Sequence, residues 1–343
     1  MLPHSLLALA LASVFCTFLP AASAQAGPNS ALPRVEPKEV RAWLMRIHDA
    51  ASHSNFQGTF VVSAGGPVSS ARIAHFCEGN NQFERIESLD GQARHVFRYN
   101  DLVHTLWPNA RVAMVEQRDP LNAFPALLQG GDDRIADFYD LRPQGADRVA
   151  GHEANVLLLR PRDAFRFGYR LWAEKASGLL LRADVLGDHG EVLETSAFSD
   201  VTIGVRSQPE TVLQPMKRLD GYRIVRPSLT PTKLEAEGWM LRESIPGFRQ
   251  VSCVKRPLDG TTEPDAGEHA PQALQTIYSD GLTYVSVFIE PFSPERHTRA
   301  MLTTIGATQT LMRRQGDWWI TVVGDVPTVT LRAFANGLER KKQ

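Results

Sequence analysis

The 343-residue chain carries almost no net charge: 37 Lys and Arg stand against 38 Asp and Glu, a formal balance of −1. With no basic excess to condense on phosphate backbones, the composition argues against a nucleic-acid binder. Cysteine is nearly absent, three residues in all, and no CxxC or CxxH spacing supports a redox motif or a zinc site. Aromatic residues are sparse at 8%. A single long apolar run exists, Leu6 to Leu19, and its 14 residues fall short of the roughly 20 that a membrane-crossing helix needs.

Catalytic patterns are missing as well. The Gly-x-Ser-x-Gly elbow does not occur, and Ser69-Ser70 follow Gly65-Gly66-Pro67 in what reads as a hairpin tip. Gly151-His152-Glu153 lacks the second histidine of a zinc protease, since Val156 stands in its place. His48 and His53 are five apart and do not share a helical face, so no metal site has spacing behind it. Asp132-Asp133 has no further oxygen donors at calcium-loop spacing, and no phosphate-cradling glycine loop is present. These absences argue against an enzyme and predict no catalytic residue, no metal and no cofactor.

What is present begins with residues 1–24. The apolar run is followed by Pro20 and the small triplet Ala22-Ser23-Ala24, the pattern of a secretory signal peptide cleaved before Gln25. Its start is weakly basic, with His4 and the α-amino group alone, and Cys16 sits after Ser13-Val14-Phe15 rather than at a lipoprotein site. Export leaves Cys77 and Cys253, which are read as two buried thiols, with one disulfide as the alternative.

Along the remaining chain, Val40, Trp43, Leu44, Ile47 and Ala51 predict a helix after Pro37. Alternation then sets in from Phe56 and recurs in short runs through Val201, separated by turn pairs such as Gly79-Asn80 and Asp90-Gly91. This predicts an antiparallel meander of roughly ten strands that curls on itself. A second helix is expected over Leu121, Phe124, Leu127 and Leu128. The predicted class is α+β and β-rich, with a large domain over 25–206, a Pro-rich linker over 207–241, and a smaller α+β domain over 242–343.

Two local features stand out. Phe165, Phe167, Tyr169 and Leu171 alternate with Arg166 and Arg170, preceded by Arg160 and Arg162. Cations beside an apolar face suit the headgroup of an anionic amphiphile; the alternative is a half-buried strand with solvated arginines. Trp318-Trp319, with Trp239 and Phe248, form the other feature. Neighbours on a strand face opposite ways, so one of the two tryptophans is expected to meet solvent or a partner, unless the last helix and the linker cover both.

Several segments together carry a family resemblance: Asn55-Phe56-Gln57-Gly58-Thr59-Phe60-Val61, Phe83-Glu84-Arg85-Ile86-Glu87-Ser88-Leu89-Asp90-Gly91, Tyr139-Asp140-Leu141 and Arg148-Val149-Ala150-Gly151. Tyr169-Arg170-Leu171-Trp172, Pro246-Gly247-Phe248 and Tyr278-Ser279-Asp280-Gly281-Leu282 extend it. The chain resembles the RseB/MucB family of periplasmic regulators of the envelope-stress sigma factor. The resemblance implies a LolA/LolB-like, incompletely closed antiparallel barrel with helices over its opening, followed by a small α+β domain. It implies binding to the periplasmic part of a membrane-bound anti-sigma factor (RseA or MucA), protection of that factor from proteolysis, and release by lipopolysaccharide or a related lipid. On this footing Phe97, Tyr99, Trp107, Phe124, Leu127 and Leu128 are candidates for an acyl cavity, and Arg160, Arg162, Arg166 and Arg170 for the headgroup. Trp239, Phe248, Trp318 and Trp319 are candidates for partner contact. A periplasmic lipid or lipoprotein carrier is the alternative, and oligomeric state stays open.

Overall fold

A computed structural model describes residues 37–117, 135–258 and 272–341. The expected signal peptide, the helix over Leu121 to Leu128, and Asp132-Asp133 lie outside the described residues.

Helix α1 (Pro37–His53) starts on the proline whose missing N–H costs a helix nothing at its first turn. It buries Leu44, Ile47 and Ala50, one apolar stripe at three-residue spacing. Six strands follow in hairpin succession: β1 (Phe56–Ala64), β2 (Val68–Glu78), β3 (Asn81–Ser88), β4 (His95–Tyr99), β5 (Leu102–Trp107) and β6 (Val112–Gln117). After the short α2 (Ile135–Phe138) come β7 (Tyr139–Val149), β8 (His152–Pro161), β9 (Gly168–Glu174), β10 (Leu180–Leu186) and β11 (Val192–Ile203). Helix α3 (Glu210–Lys217) and β12 (Arg223–Val225) complete this part.

The twelve strands form one sheet in the order β12-β6-β5-β4-β3-β2-β1-β11-β10-β9-β8-β7. The first and last strands of the meander, β1 and β11, pair antiparallel in its middle. The sheet is therefore open, with β12 and β7 as its two edges, and does not close into a barrel. Edge strand β7 carries Pro143 and a register shift between Pro143 and Ala146, devices that discourage pairing with another chain. On one face Phe76, Phe83, Phe97 and Leu106 are covered by Val212 and Met216 of α3. Helix α1 packs with Leu157, Leu159 and Leu171 of β8 and β9.

The second sheet uses β13 (Thr230–Pro231), β15 (Arg249–Pro257), β16 (Gln272–Ser279), β17 (Tyr284–Pro291), β18 (Met301–Ile305), β19 (Thr308–Gln315) and β20 (Trp318–Gly324). Their order is β13-β15-β16-β17-β20-β19-β18. Helix α4 (Thr328–Gly337) packs Leu331 and Phe334 onto Val285, Val287 and Ile320, and β14 (Trp239–Leu241) pairs with β21 (Leu338–Arg340).

The Pro-rich stretch over 207–241 carries elements of its own: α3 seals a face of the large sheet, β12 extends its edge, and β13 joins the second sheet. Strand β18 was not expected at all. Both thiols are free. Cys253 is buried as expected, whereas Cys77 is half-buried and its Sγ donates to the Ser52 carbonyl at 2.9 Å. Among the described residues no helix is long and apolar enough to cross a membrane, which says nothing about β-barrels.

Candidate functional site

The sequence between β8 and β9, Arg162-Asp163-Ala164-Phe165-Arg166-Phe167, builds the joint between the two sheets. Phe165 packs against the core of the second sheet, and its carbonyl accepts the Thr330 hydroxyl of α4 at 2.7 Å. In return Leu282, from the turn between β16 and β17, is buried in the large domain's cluster with Leu157, Tyr169 and Leu180. Each domain thus packs one apolar side chain against the other, Leu282 buried and Phe165 half-buried.

Between these two plugs lies a buried ion pair. Arg166 Nη1 donates to Asp280 Oδ2 at 3.0 Å, and neither side chain is exposed. Arg166 also donates through Nε to Asp163 at 2.9 Å and through Nη2 to the Pro246 carbonyl. Its guanidinium lies 4.4 Å from the Phe138 ring centroid and 5.3 Å from that of Phe248. Gly247, at φ +83°, lets the backbone pass there, since a Cβ would stand 2.8 Å from Nη1. Asp280 accepts the Leu282 and Thr283 amides at 2.9 Å, which folds the turn, and the Tyr139 hydroxyl at 3.3 Å. Burial pushes the Asp280 carboxyl up, against the pull of the two amides and Arg166. A further contact sits where Gly65, in the tip between β1 and β2, meets Gly306, between β18 and β19; a Cβ on Gly306 would stand 2.6 Å from that of Ala64.

Two clefts flank this joint. One, of about 500 Å³, is lined by Arg160, Arg166 and Arg170 together with the 187–190 turn. Arg160 is exposed, Arg170 donates to Gln144 at 3.1 Å, and Arg166 is held by its carboxylates. The other, of about 380 Å³, lies between the sheets: Tyr169, Leu180 and Val185 face Leu282 and Val323, with Glu194 and Asp325 among its polar groups. Burial and the nearby Asp325 raise the Glu194 carboxyl. Burial, then Asp280 and Asp325, raise the Tyr169 hydroxyl.

The structure thus gathers three of the four arginines singled out by sequence and separates the fourth, because Arg162 pairs with Asp140 at 2.8 Å. Phe97 and Tyr99 sit together under α3, with Tyr99 stacked on Phe83 at 5.1 Å between centroids. Trp107 is half-buried at the end of β5, and Phe124, Leu127 and Leu128 lie outside the described residues. Of the two tryptophans of β20, one is buried and the other half-buried. Trp319 is buried and stacked on His297 at 4.7 Å, while half-buried Trp318 meets Trp239 edge-on and the Arg340 guanidinium at 4.4 Å. Trp239 and Phe248 are interior. Sequence reasoning missed Asp280, Glu194 and Asp325 as site residues. The turn Ser279-Asp280-Gly281 was visible, but nothing in it names Arg166 as its partner.

A second buried polar group lies on the large sheet. Glu84 is fully buried and pushed up by that burial; Arg98 approaches it at 3.6 Å. His75, stacked on Phe56, is lowered to about 4 by burial and by Arg98. No group of three or more metal-binding side chains occurs among the described residues.

An open, largely antiparallel sheet, a smaller sheet packed onto it, and clefts along their joint define a two-domain, β-rich protein. The family models for the MucB/RseB N-terminal domain and the MucB/RseB C-terminal domain match residues 39–216 and 233–339. The chain belongs to the MucB/RseB family of sigma-factor regulatory proteins. It is 29% identical over 316 residues to the sigma factor AlgU regulatory protein MucB of Pseudomonas aeruginosa, covering 90% of this chain and 93% of that one. To the sigma-E factor regulatory protein RseB of Escherichia coli K12 it is 24% identical over 304 residues, 87% and 90% of the two chains. The structure of the Pseudomonas aeruginosa MucA/MucB complex superposes with a TM-score of 0.67 at 26% identity, over 89% of this chain and 100% of that one.

Proposed function

We propose that this protein acts in the periplasm, binds the periplasmic segment of a membrane-bound anti-sigma factor of the MucA/RseA type, and shields it from regulatory proteolysis. A lipid of the lipopolysaccharide kind releases it and so frees the stress response. The observation that carries the reading is the match across both domains to a protein whose structure was determined in complex with MucA. The joint supports it, because a surface spanning two domains that are plugged into each other suits an extended peptide better than a one-domain carrier's pocket does.

Release follows from linkage: a lipid displaces the segment only as far as it prefers the free form. Each buried methylene contributes about 0.8 kcal/mol, so a few of them match a coupling of about 1–3 kcal/mol. Acyl chains would rest on Phe97, Tyr99, Trp107, Phe124, Leu127 and Leu128, with the headgroup beside Arg160 and Arg170. Trp318, half-buried on β20, is the partner contact of the tryptophan group. The test is titration of lipopolysaccharide into the purified complex with the anti-sigma segment. Dissociation is the expected result; no complex with the segment would overturn the reading, and transfer of labelled lipid between vesicles without segment binding would favour a carrier.

A further inference from the structure

We propose that the cleft between the sheets is a receptor for one basic side chain, a guanidinium or ammonium on an extended peptide, held between Glu194 and Asp325. The inference rests on the reading that this protein grips a peptide segment, and it names the chemistry of one anchor in that grip.

The cleft, of about 380 Å³, has room for a long side chain, and Leu180, Val185 and Leu282 give it apolar walls. Lysine and arginine pack their methylene stems along such walls and keep the charged head for a polar end. That polar end is supplied by both domains: Glu194 from β11, and Asp325 just past β20. Both carboxylates line the cleft and are bonded by the neighbouring residues Ala307 and Thr308, and burial, then Asp325, raises the Glu194 carboxyl. Among the described residues neither has a cationic partner; Asp325 accepts the Thr308 hydroxyl at 2.6 Å, and Glu194 accepts the Ala307 amide. The cation on the wall, Arg182, is spent on Asp184 through two bonds of 2.9 Å and lies over the Trp172 ring. Like charges brought together from two domains repel, and a cation between them converts that repulsion into two charge-assisted hydrogen bonds. A divalent metal fits the same charge, but the described residues bring no third His, Cys, Asp or Glu.

The probes are N-acetyl-arginine methylamide and its uncharged isostere, N-acetyl-citrulline methylamide, titrated into the full-length protein and followed by amide chemical shifts. The arginine compound is expected to shift residues 180–185, 282–286 and 323–325, and the citrulline compound to bind at least about tenfold more weakly. Glu194→Gln and Asp325→Asn should each weaken the arginine compound similarly. Equal binding of the two compounds, or shifts confined to residues elsewhere, would overturn the proposal, as would calcium producing the same shifts at lower concentration. The wild-type comparison needs no variant, so it decides the matter even where a variant misfolds. Segment binding in the purified complex is measured separately, so loss of the anchor and loss of the peptide reading are told apart.

Discussion

Arg166 has no water left to it, and its charge is sustained by Asp280, Asp163 and one carbonyl. Removing one member of such a pair leaves the other charged and desolvated, which costs about 3–5 kcal/mol. Arg166→Met is expected to lower stability by that amount in urea unfolding. Adding Asp280→Asn removes the stranded charge while keeping an acceptor for the Leu282 and Thr283 amides, so the double variant should recover much of the loss. His75 gives a prediction of opposite kind, read in pH. It is lowered to about 4 in the fold, against 6.5 for an ordinary histidine, so below pH 6.5 the unfolded chain takes up a proton that the folded one refuses. Its contribution is present above pH 6.5 and is lost as pH falls toward 4. Glu84, raised by burial, works in the opposite sense and is common to wild type and variant. The stability gap between wild type and His75→Gln should therefore narrow by up to about 3 kcal/mol between pH 7 and pH 4.

At the scale of elements, the end of β8 and the start of β9 bring Arg160 and Arg170 to one cleft. Neither is held by a carboxylate among the described residues, unlike Arg166, so they are the cations free to meet a phosphate. The double variant Arg160→Gln, Arg170→Gln should fold normally and bind phosphate-bearing lipid vesicles about tenfold more weakly, with a shallower salt dependence. Unchanged affinity would remove the headgroup from this cleft. Most strands were legible because period-two alternation and turn pairs mark them: His95–Tyr99 and Leu102–Trp107 lie where the pattern puts them, with Asn100, at φ 54°, supplying the left-handed turn between them. Helix α3 was hidden by Pro209 and Pro215, which read as breaks, yet Pro209 stands at the helix start and Pro215 in its last turns. Strand β18 was missed because Met301 to Ile305 is an edge strand with Leu302 and Ile305 exposed, leaving no buried face to set a pattern. The joint was illegible for a different reason. Arg166 and Asp280 are 114 positions apart, and no local rule pairs them.

For the whole molecule, the exchange of Phe165 and Leu282 decides whether two domains behave as two. Phe165 packs against the second sheet's core, Leu282 is buried in the large domain's, and the buried Arg166–Asp280 pair adjoins both in the chain. Unfolding of either sheet would then expose an apolar side chain and an unpaired charge on its neighbour, a penalty that ties the two transitions together. Calorimetry of the wild-type protein should accordingly show one thermal transition across both domains. Phe165→Ala combined with Leu282→Ala keeps every hydrogen bond of the Asp280 turn, since those use the backbone of Leu282 and Thr283. What it removes is the packing that excludes water from the ion pair, and the single transition should resolve into two, with the amides of 165–168 and 280–283 exchanging ahead of the sheets. Two transitions already present in the wild type would mean that the joint holds the domains in place without making them fold together.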